Sequence, residues 1–158
     1  MKLGMTVGMR GNDPRAFAQY ARRLEDAGVE YLWTGEAYNA DAVSTMGFLA
    51  AVTERAQIGS SILPLYSRTP ALLAMTAVGL DKLSGGRFVL GLGASGPQVI
   101  EGFHGVAYDR PLGRTREIID ICRSVWRRDR LVHEGASYQV PLPESEGTGL
   151  GKALKIMD

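Results

Sequence analysis

Ser84-Gly85-Gly86-Arg87-Phe88-Val89-Leu90-Gly91-Leu92-Gly93-Ala94-Ser95-Gly96-Pro97-Gln98 is the stretch that decides how this chain folds. It divides into a helix stop, a strand and a loop. Ser84-Gly85-Gly86 follow an apolar periodic segment, and glycine supplies the left-handed residue that ends a helix. Arg87 to Leu92 is short, apolar and rich in β-formers, as a strand covered on both faces is. Gly91, Gly93 and Gly96 then leave the backbone free of side chains, so that something can approach it closely.

Working outward, helices and strands alternate. Leu3 to Val7 predicts a first strand. Asp13-Pro14 starts a helix, with Asp capping and Pro in the first helical position. Phe17, Tyr20, Ala21, Leu24 and Ala27 recur at helical spacing before Gly28 ends the run. Tyr31 to Thr34 predicts a second strand, and Gly35-Glu36-Ala37-Tyr38-Asn39 the loop after it. Asp41 caps a helix through Met46, Leu49, Ala50 and Thr53. Gln57 to Leu63 predicts a third strand, and Thr69-Pro70 opens a helix through Leu73, Ala77, Leu80 and Leu83. The opening stretch is the fourth strand. A long loop to about Gly113 leads to a helix from Arg114 to Arg128, with Ile118, Ile121, Cys122, Val125 and Trp126 inward. Alternation of this kind implies an α/β fold with a parallel sheet and right-handed crossovers. Two architectures fit: an open doubly wound sheet, or half of an eight-fold βα barrel, since a whole barrel takes about 250 residues. Beyond residue 128 the alternation stops. Leu131-Val132 and Tyr138 to Val140 flank Gly135 as a small hairpin, and Pro141 to Gly151 is loop-like.

Composition narrows the function. A length of 158 residues with 45% hydrophobic and 22% charged residues is that of one globular domain. A formal charge of +1 gives no footprint for a nucleic-acid or membrane partner. A single cysteine, Cys122, excludes an internal disulfide framework and fits a reducing compartment, so a cytoplasmic location is expected. Cys122 itself reads as core. His104 and His133 stand apart, with no partner at ligand spacing, and no metal site is expected.

Gly91-Leu92-Gly93-Ala94-Ser95-Gly96 satisfies G-x-G-x-x-G, a weak signal by itself. A dinucleotide fingerprint opens a long helix and has an acid at the end of the next strand. Here Pro97 to Gly105 allows a turn or two before more glycine, and Glu117 and Asp120 lie on a helix. The glycines therefore serve tight packing alone or a loop that faces a cofactor at the carboxyl end of a strand. An NAD-binding Rossmann module, which would need this fourth strand to be a first one, is a third reading. Glu36, just past the second strand, is placed where βα folds carry catalytic groups. It is a proton-transfer candidate, or else a solvated or ion-paired loop carboxylate. Gly59-Ser60-Ser61-Ile62-Leu63-Pro64 suits a bulge that aims backbone into a pocket, or a simple strand end. His104 is a candidate for lining a pocket. Arg114 and Arg116 open a helix, where they meet either an anion or solvent.

Several longer segments together resemble the luciferase-like monooxygenase superfamily, and more narrowly its coenzyme F420 (deazaflavin)-dependent oxidoreductases. They are Trp33 to Tyr38, Leu80 to Gly93, Ser95 to Gly105, Pro111 to Glu117 and Gly147 to Lys152. The resemblance implies a TIM-barrel fold and hydride transfer between a small organic substrate and coenzyme F420, with FMN as the alternative cofactor. It implies that Ser61 and Ile62 back the ring, often through a non-proline cis peptide. It implies Glu36 as the catalytic acid or base. Gly93, Ala94, Ser95 and Gly96 are implied to line the cofactor, with Tyr38 and His104 on the substrate side. Residues 1–158 then form one incomplete domain: four βα units over 1–128, the first half of a barrel, and a hairpin and loop insertion over 129–158. Relatives carry four more units, including the segment for the cofactor phosphate, and the likeness fades at Ile156-Met157-Asp158. A homo-oligomer is expected. A half barrel that is inactive alone, truncated or self-associating, is the alternative to an active oxidoreductase.

Overall fold

The structure is a computed structural model that describes residues 2–9 and 11–157; Met1, Arg10 and Asp158, including both ends of the expected domain, lie outside the described residues. The chain divides into two compact units, Met1–Pro64 with Thr76–Ser95, and Leu65–Met75 with Gly96–Asp158.

In the first unit, β1 (Gly4–Thr6) leads to α1 (Pro14–Asp26). Asp13 caps α1 as its side chain accepts from the N–H groups of Arg15 and Ala16, and Pro14 takes the first helical position. Gly28 closes the helix at φ +88°, a conformation open to glycine at little cost. Next come β2 (Tyr31–Thr34), α2 (Ala42–Val52, capped by Asp41 onto the Ser44 N–H) and β3 (Gln57–Ser60). The expected third strand breaks after Ser60 and resumes as β4 (Leu63–Pro64). α3 (Pro70–Ser84) follows. The fourth strand also divides, into β5 (Phe88–Val89) and β6 (Leu92–Gly93).

β1, β2, β3 and β5 form a four-stranded sheet in that order, parallel throughout, and β4 pairs with β6 in a second parallel ladder. α2 packs on β2 and β3 and against α1. Strand alternation puts Leu32 and Thr34 on the helix side, where both are buried. Tyr31 and Trp33 take the other face, half-buried, with rings stacked 5.5 Å apart. The Trp33 indole lies across Gly4 of β1 and Gly59 of β3, where any side chain would collide with it. Phe17 stacks on Phe48 at 5.8 Å and joins α1 to α2. Tyr20 and Leu83, expected inward, are 38% and 68% exposed, because each sits at the rim of its helix's apolar stripe.

Two polar devices, Glu25 buried and Arg87 half-buried, hold the sheet to its helices. Glu25, on α1, accepts from the N–H groups of Glu54, Arg55 and Ala56 in the turn before β3. Arg87, just before β5, donates to the carbonyls of Ser84, Ala56, Ala50 and Thr53 and to the Thr53 hydroxyl.

The second unit contains the start of α3, α4 (Pro97–Ile100), α5 (Pro111–Trp126), an antiparallel hairpin of β7 (His133–Glu134) and β8 (Gln139–Val140), and a 3-10 turn at Glu144–Glu146. α5 begins a turn earlier than expected because Pro111 takes its first position. Ile118, Ile121, Cys122 and Val125 are its buried stripe. Trp126, expected inward, is 44% exposed and donates its indole N–H to the Ala74 carbonyl. The hairpin pairs one residue later than expected, with His133 opposite Val140. Glu117 of α5 ties it down by accepting from the N–H groups of Ser137 and Tyr138 and meeting His133 Nε2 at 3.3 Å. No helix among the described residues is long and apolar enough to cross a membrane.

Candidate active site at the strand ends

The carboxyl ends of parallel strands gather the loops that follow them, and βα folds place ligands there. In the first unit a cleft of about 610 Å³ opens at that end. β1 supplies Thr6 with Val7 just after it, β2 supplies Thr34, and the next loop supplies Gly35, Glu36 and Tyr38. Ser61 and Ile62 form the remaining wall.

That wall is built by backbone. The Ser61–Ile62 peptide is cis, although residue 62 is not proline. The Ser61 N–H donates to the Thr34 carbonyl at 2.7 Å, and the Ile62 carbonyl accepts from the Glu36 N–H at 3.2 Å. β2 and its loop thus hold both residues of the cis unit. The Ser60 hydroxyl, buried, donates to the Gly91 carbonyl at 2.8 Å and accepts from the Gly91 N–H at 2.9 Å. It bridges the point where both strands break. The glycines sit where space is shortest. A Cβ on Gly35 would stand 2.8 Å from the Ser61 carbonyl oxygen, and one on Gly93 would stand 2.6 Å from Ile62 Cδ1. A Cβ on Gly91 would collide with the Ser60 carbonyl.

Glu36 is half-buried in the cleft, and its Oε2 accepts from the Ala42 N–H at 2.9 Å, at the start of α2. Asp41 caps the same helix end one residue earlier. The carboxylate therefore stands against the positive end of a helix.

Glu36, Tyr38, Ser61 and Ile62 line this cleft together, and Gly93 packs behind Ile62. Tyr38 is 71% exposed at its mouth. Ala94 and Ser95 follow β6 within the same unit but are not among the cleft's lining residues, and Ser95 adopts φ +59°. Gly96 and His104 belong to the second unit. Gly96 caps α4, and His104 stands edge-on to Phe103 with its Nε2 buried and without a hydrogen bond among the described residues. Sequence reasoning missed Thr6, Val7 and Thr34 as cleft residues, each marked only by its place at a strand end.

Other candidates have structural roles. Arg114 binds Asp109 at 2.7 Å and lies over the rings of Tyr66 and Tyr138, 5.3 Å from each. The Cys122 thiol is pushed up to about 11 by burial and stays protonated at neutral pH. Among the described residues, no group of three His, Cys, Asp or Glu could hold a metal ion.

A parallel βα sheet with a cleft at its carboxyl edge is the arrangement shared by βα barrels and open βα folds. The sequence profile of the family described as luciferase-like monooxygenase matches residues 1–149, and the chain belongs to that family. A Mycobacterium tuberculosis protein with the provisional name coenzyme F420-dependent oxidoreductase is 46% identical over 98% of this chain and 45% of its own length. The structure of a coenzyme F420-dependent tetrahydromethanopterin reductase from Methanopyrus kandleri superposes with a TM-score of 0.80 at 21% identity, over 98% of this chain and 46% of the other. The oxygenating constituent of 3,6-diketocamphane monooxygenase from Pseudomonas putida, solved with FMN, superposes with a TM-score of 0.74 at 22% identity, over 96% of this chain and 47% of the other. The fold is therefore that of luciferase-like TIM-barrel proteins, and the chain spans about half the length of these relatives.

Proposed function

We propose that this chain carries the first four βα units of an oxidoreductase barrel, and that its strand-end cleft takes the ring of a deazaflavin. The observation that carries this reading is the Ser61–Ile62 wall of the cleft, held by the Thr34 carbonyl and the Glu36 N–H, with Gly35 closing on the Ser61 carbonyl too tightly for a side chain. A flat backbone surface suits a planar ring, and the cleft volume of about 610 Å³ is ample for one. The residues present thus fit the group. When bound there, a deazaflavin supplies hydride donation or acceptance at its ring carbon.

Ser61 and Ile62 support the ring face, and Val7 and Ile62 exclude water from it. Gly93, with Ala94 and Ser95 after it, forms the edge of the ring site. Tyr38 contacts a small organic substrate. Glu36 holds or moves the proton that accompanies hydride transfer, with the Ala42 N–H keeping its carboxylate in place. The 46% identical relative supports coenzyme F420, and the solved structure with FMN supports FMN as the alternative. The reaction belongs in the cytoplasm on this reading.

Titration of the purified chain with 5-deazariboflavin and with FMN, followed by their fluorescence, tests the assignment. Saturable binding of the deazaflavin is expected, lost in Ala37→Trp, which fills the cleft. An unchanged signal at every ratio, or binding indifferent to Ala37→Trp, overturns it.

A further inference from the structure

We infer that Ser60 is a positioning residue of the cleft: its hydroxyl fixes the point where β3 leaves its ladder, and so sets where Ser61, Ile62 and Glu36 stand. The inference rests on the reading of the cleft as a ring site, and it adds a residue that acts there without touching the ring.

Strand register carries it. Ile58 stands opposite Phe88 and Gly59 opposite Val89 in the first ladder. Leu63 stands opposite Leu92 and Pro64 opposite Gly93 in the second. Between the ladders one side carries Ser60, Ser61 and Ile62, and the other carries only Leu90 and Gly91. The third strand thus holds a surplus residue, which is a β-bulge. By pairing alone, the surplus could be taken up at any position between the ladders, and each choice turns different groups into the cleft.

Ser60 makes the choice. It is 1% exposed, and its hydroxyl binds both main-chain groups of Gly91. It donates to the Gly91 carbonyl at 2.8 Å and accepts from the Gly91 N–H at 2.9 Å. On the far side of the bulge the Leu63 N–H reaches the same Gly91 carbonyl at 2.9 Å. The surplus backbone is thereby confined to Ser61 and Ile62, between two bonds to one residue. These two turn to β2 and its loop instead, through the Thr34 carbonyl and the Glu36 N–H. A connected series runs from Gly91 through Ser60, Ser61 and Ile62 to Glu36, whose carboxylate holds the Ala42 N–H.

The residue types suit the task. Serine puts a donor and an acceptor on one short arm. Threonine would add a methyl group where almost no surface is open. Glycine at 91 lets the strands close, since a Cβ there would collide with the Ser60 carbonyl.

Amide exchange of Ser60→Ala, read by NMR beside the wild type, tests the inference, and titration with 5-deazariboflavin is the second readout. Exchange about tenfold faster is expected at Gly91, Ser61, Leu63 and Glu36, measured relative to Leu32 and Ile58. Acceleration confined to Gly91, or equal at all these amides, overturns the inference. The dissociation constant for 5-deazariboflavin should rise about tenfold in Ser60→Ala. In Arg87→Ala, which weakens the fold away from the bulge, it should stay within about twofold of wild type. Unchanged affinity in Ser60→Ala, or an equal loss in both variants, overturns the inference. A wild type that does not bind overturns the ring assignment, and the amides alone then decide this inference. If Ser60→Ala unfolds, exchange in the wild type decides: Gly91, Ser61 and Leu63 opening with one common free energy supports it, and Gly91 opening by itself overturns it.

Discussion

Replacing Arg87 with alanine removes the largest single polar device in the first unit. Its guanidinium donates to the Ser84 carbonyl at 2.7 Å, Ala56 carbonyl at 2.7 Å, Thr53 carbonyl at 3.0 Å, Ala50 carbonyl at 3.1 Å and Thr53 hydroxyl at 3.0 Å. Ala50, Thr53, Ala56 and Ser84 are all buried. These carbonyls end α2 and α3 and begin β3, so one side chain terminates two helices and anchors a strand. A hydrogen bond to a charged group contributes about 1.5–3 kcal/mol, but five to one group do not add. Water re-solvates part of the site because Arg87 is itself half-buried. Leaving a buried acceptor unsatisfied costs about 1–3 kcal/mol, and with several acceptors stranded together we expect about 3–4 kcal/mol in all. For a chain of this size that lowers Tm by roughly 6–14 °C. Lysine keeps the charge but not the planar fork, so Arg87→Lys recovers less than half of the loss. Urea unfolding of the three proteins by circular dichroism measures this. An Arg87→Ala chain within about 0.5 kcal/mol of wild type would refute the assignment of Arg87 as an anchor.

Other consequences follow from the same geometry. Burial works against the Glu25 carboxylate, but the N–H groups of Ala56, Arg55 and Glu54 outweigh it and hold its pKa below the ordinary value. A carboxyl depressed in the folded state stabilises fully above its unfolded pKa of about 4.3, and the contribution fades as pH falls through the folded value. Glu25→Gln should therefore cost about 2 kcal/mol at pH 7 and flatten the loss of stability on acidification, as read from urea midpoints between pH 7 and pH 3. Glu117 is alike: burial raises its pKa, and the Ser137 N–H, His133 and the Tyr138 N–H lower it further than burial raises it. Glu117→Ala should speed amide exchange at Ser137 and Tyr138 at least tenfold while leaving Leu32 and Ile58 protected. Gly91→Val forces a side chain onto the Ser60 carbonyl and should cost more than 2 kcal/mol, with loss of deazaflavin binding in the same fluorescence titration.

What the sequence disclosed was local. Asp13-Pro14 and Asp41 announced their helices because capping needs only neighbouring residues. Tyr31 to Thr34 announced its strand by composition, and the structure places it at those four residues. The break after Ser60 was legible only as small polar residues before an apolar pair. Its cis peptide was expected from family resemblance, since nothing in Ser-Ile itself favours one. Arg87 and Glu25 left no signal as anchors. Their partners are main-chain groups about 30 residues away, and any sequence has main-chain groups. Trp126 reads as core by spacing, yet its indole N–H needs an acceptor, and reaching the Ala74 carbonyl leaves the ring at the rim. The cleft was half legible: Glu36 and Ser61-Ile62 stood out, while Thr6, Val7 and Thr34 are ordinary strand residues until the sheet aligns their ends.

The central claim is that the cleft at the ends of β1 to β3 holds a deazaflavin ring against Ser61 and Ile62. Backbone amide shifts of the labelled chain, followed by NMR during titration with 5-deazariboflavin, test it most directly. The account predicts saturable shifts concentrated at Gly35, Glu36, Ser61 and Ile62. Unmoved resonances there, or shifts confined to the Arg114 and Tyr138 region, would contradict it.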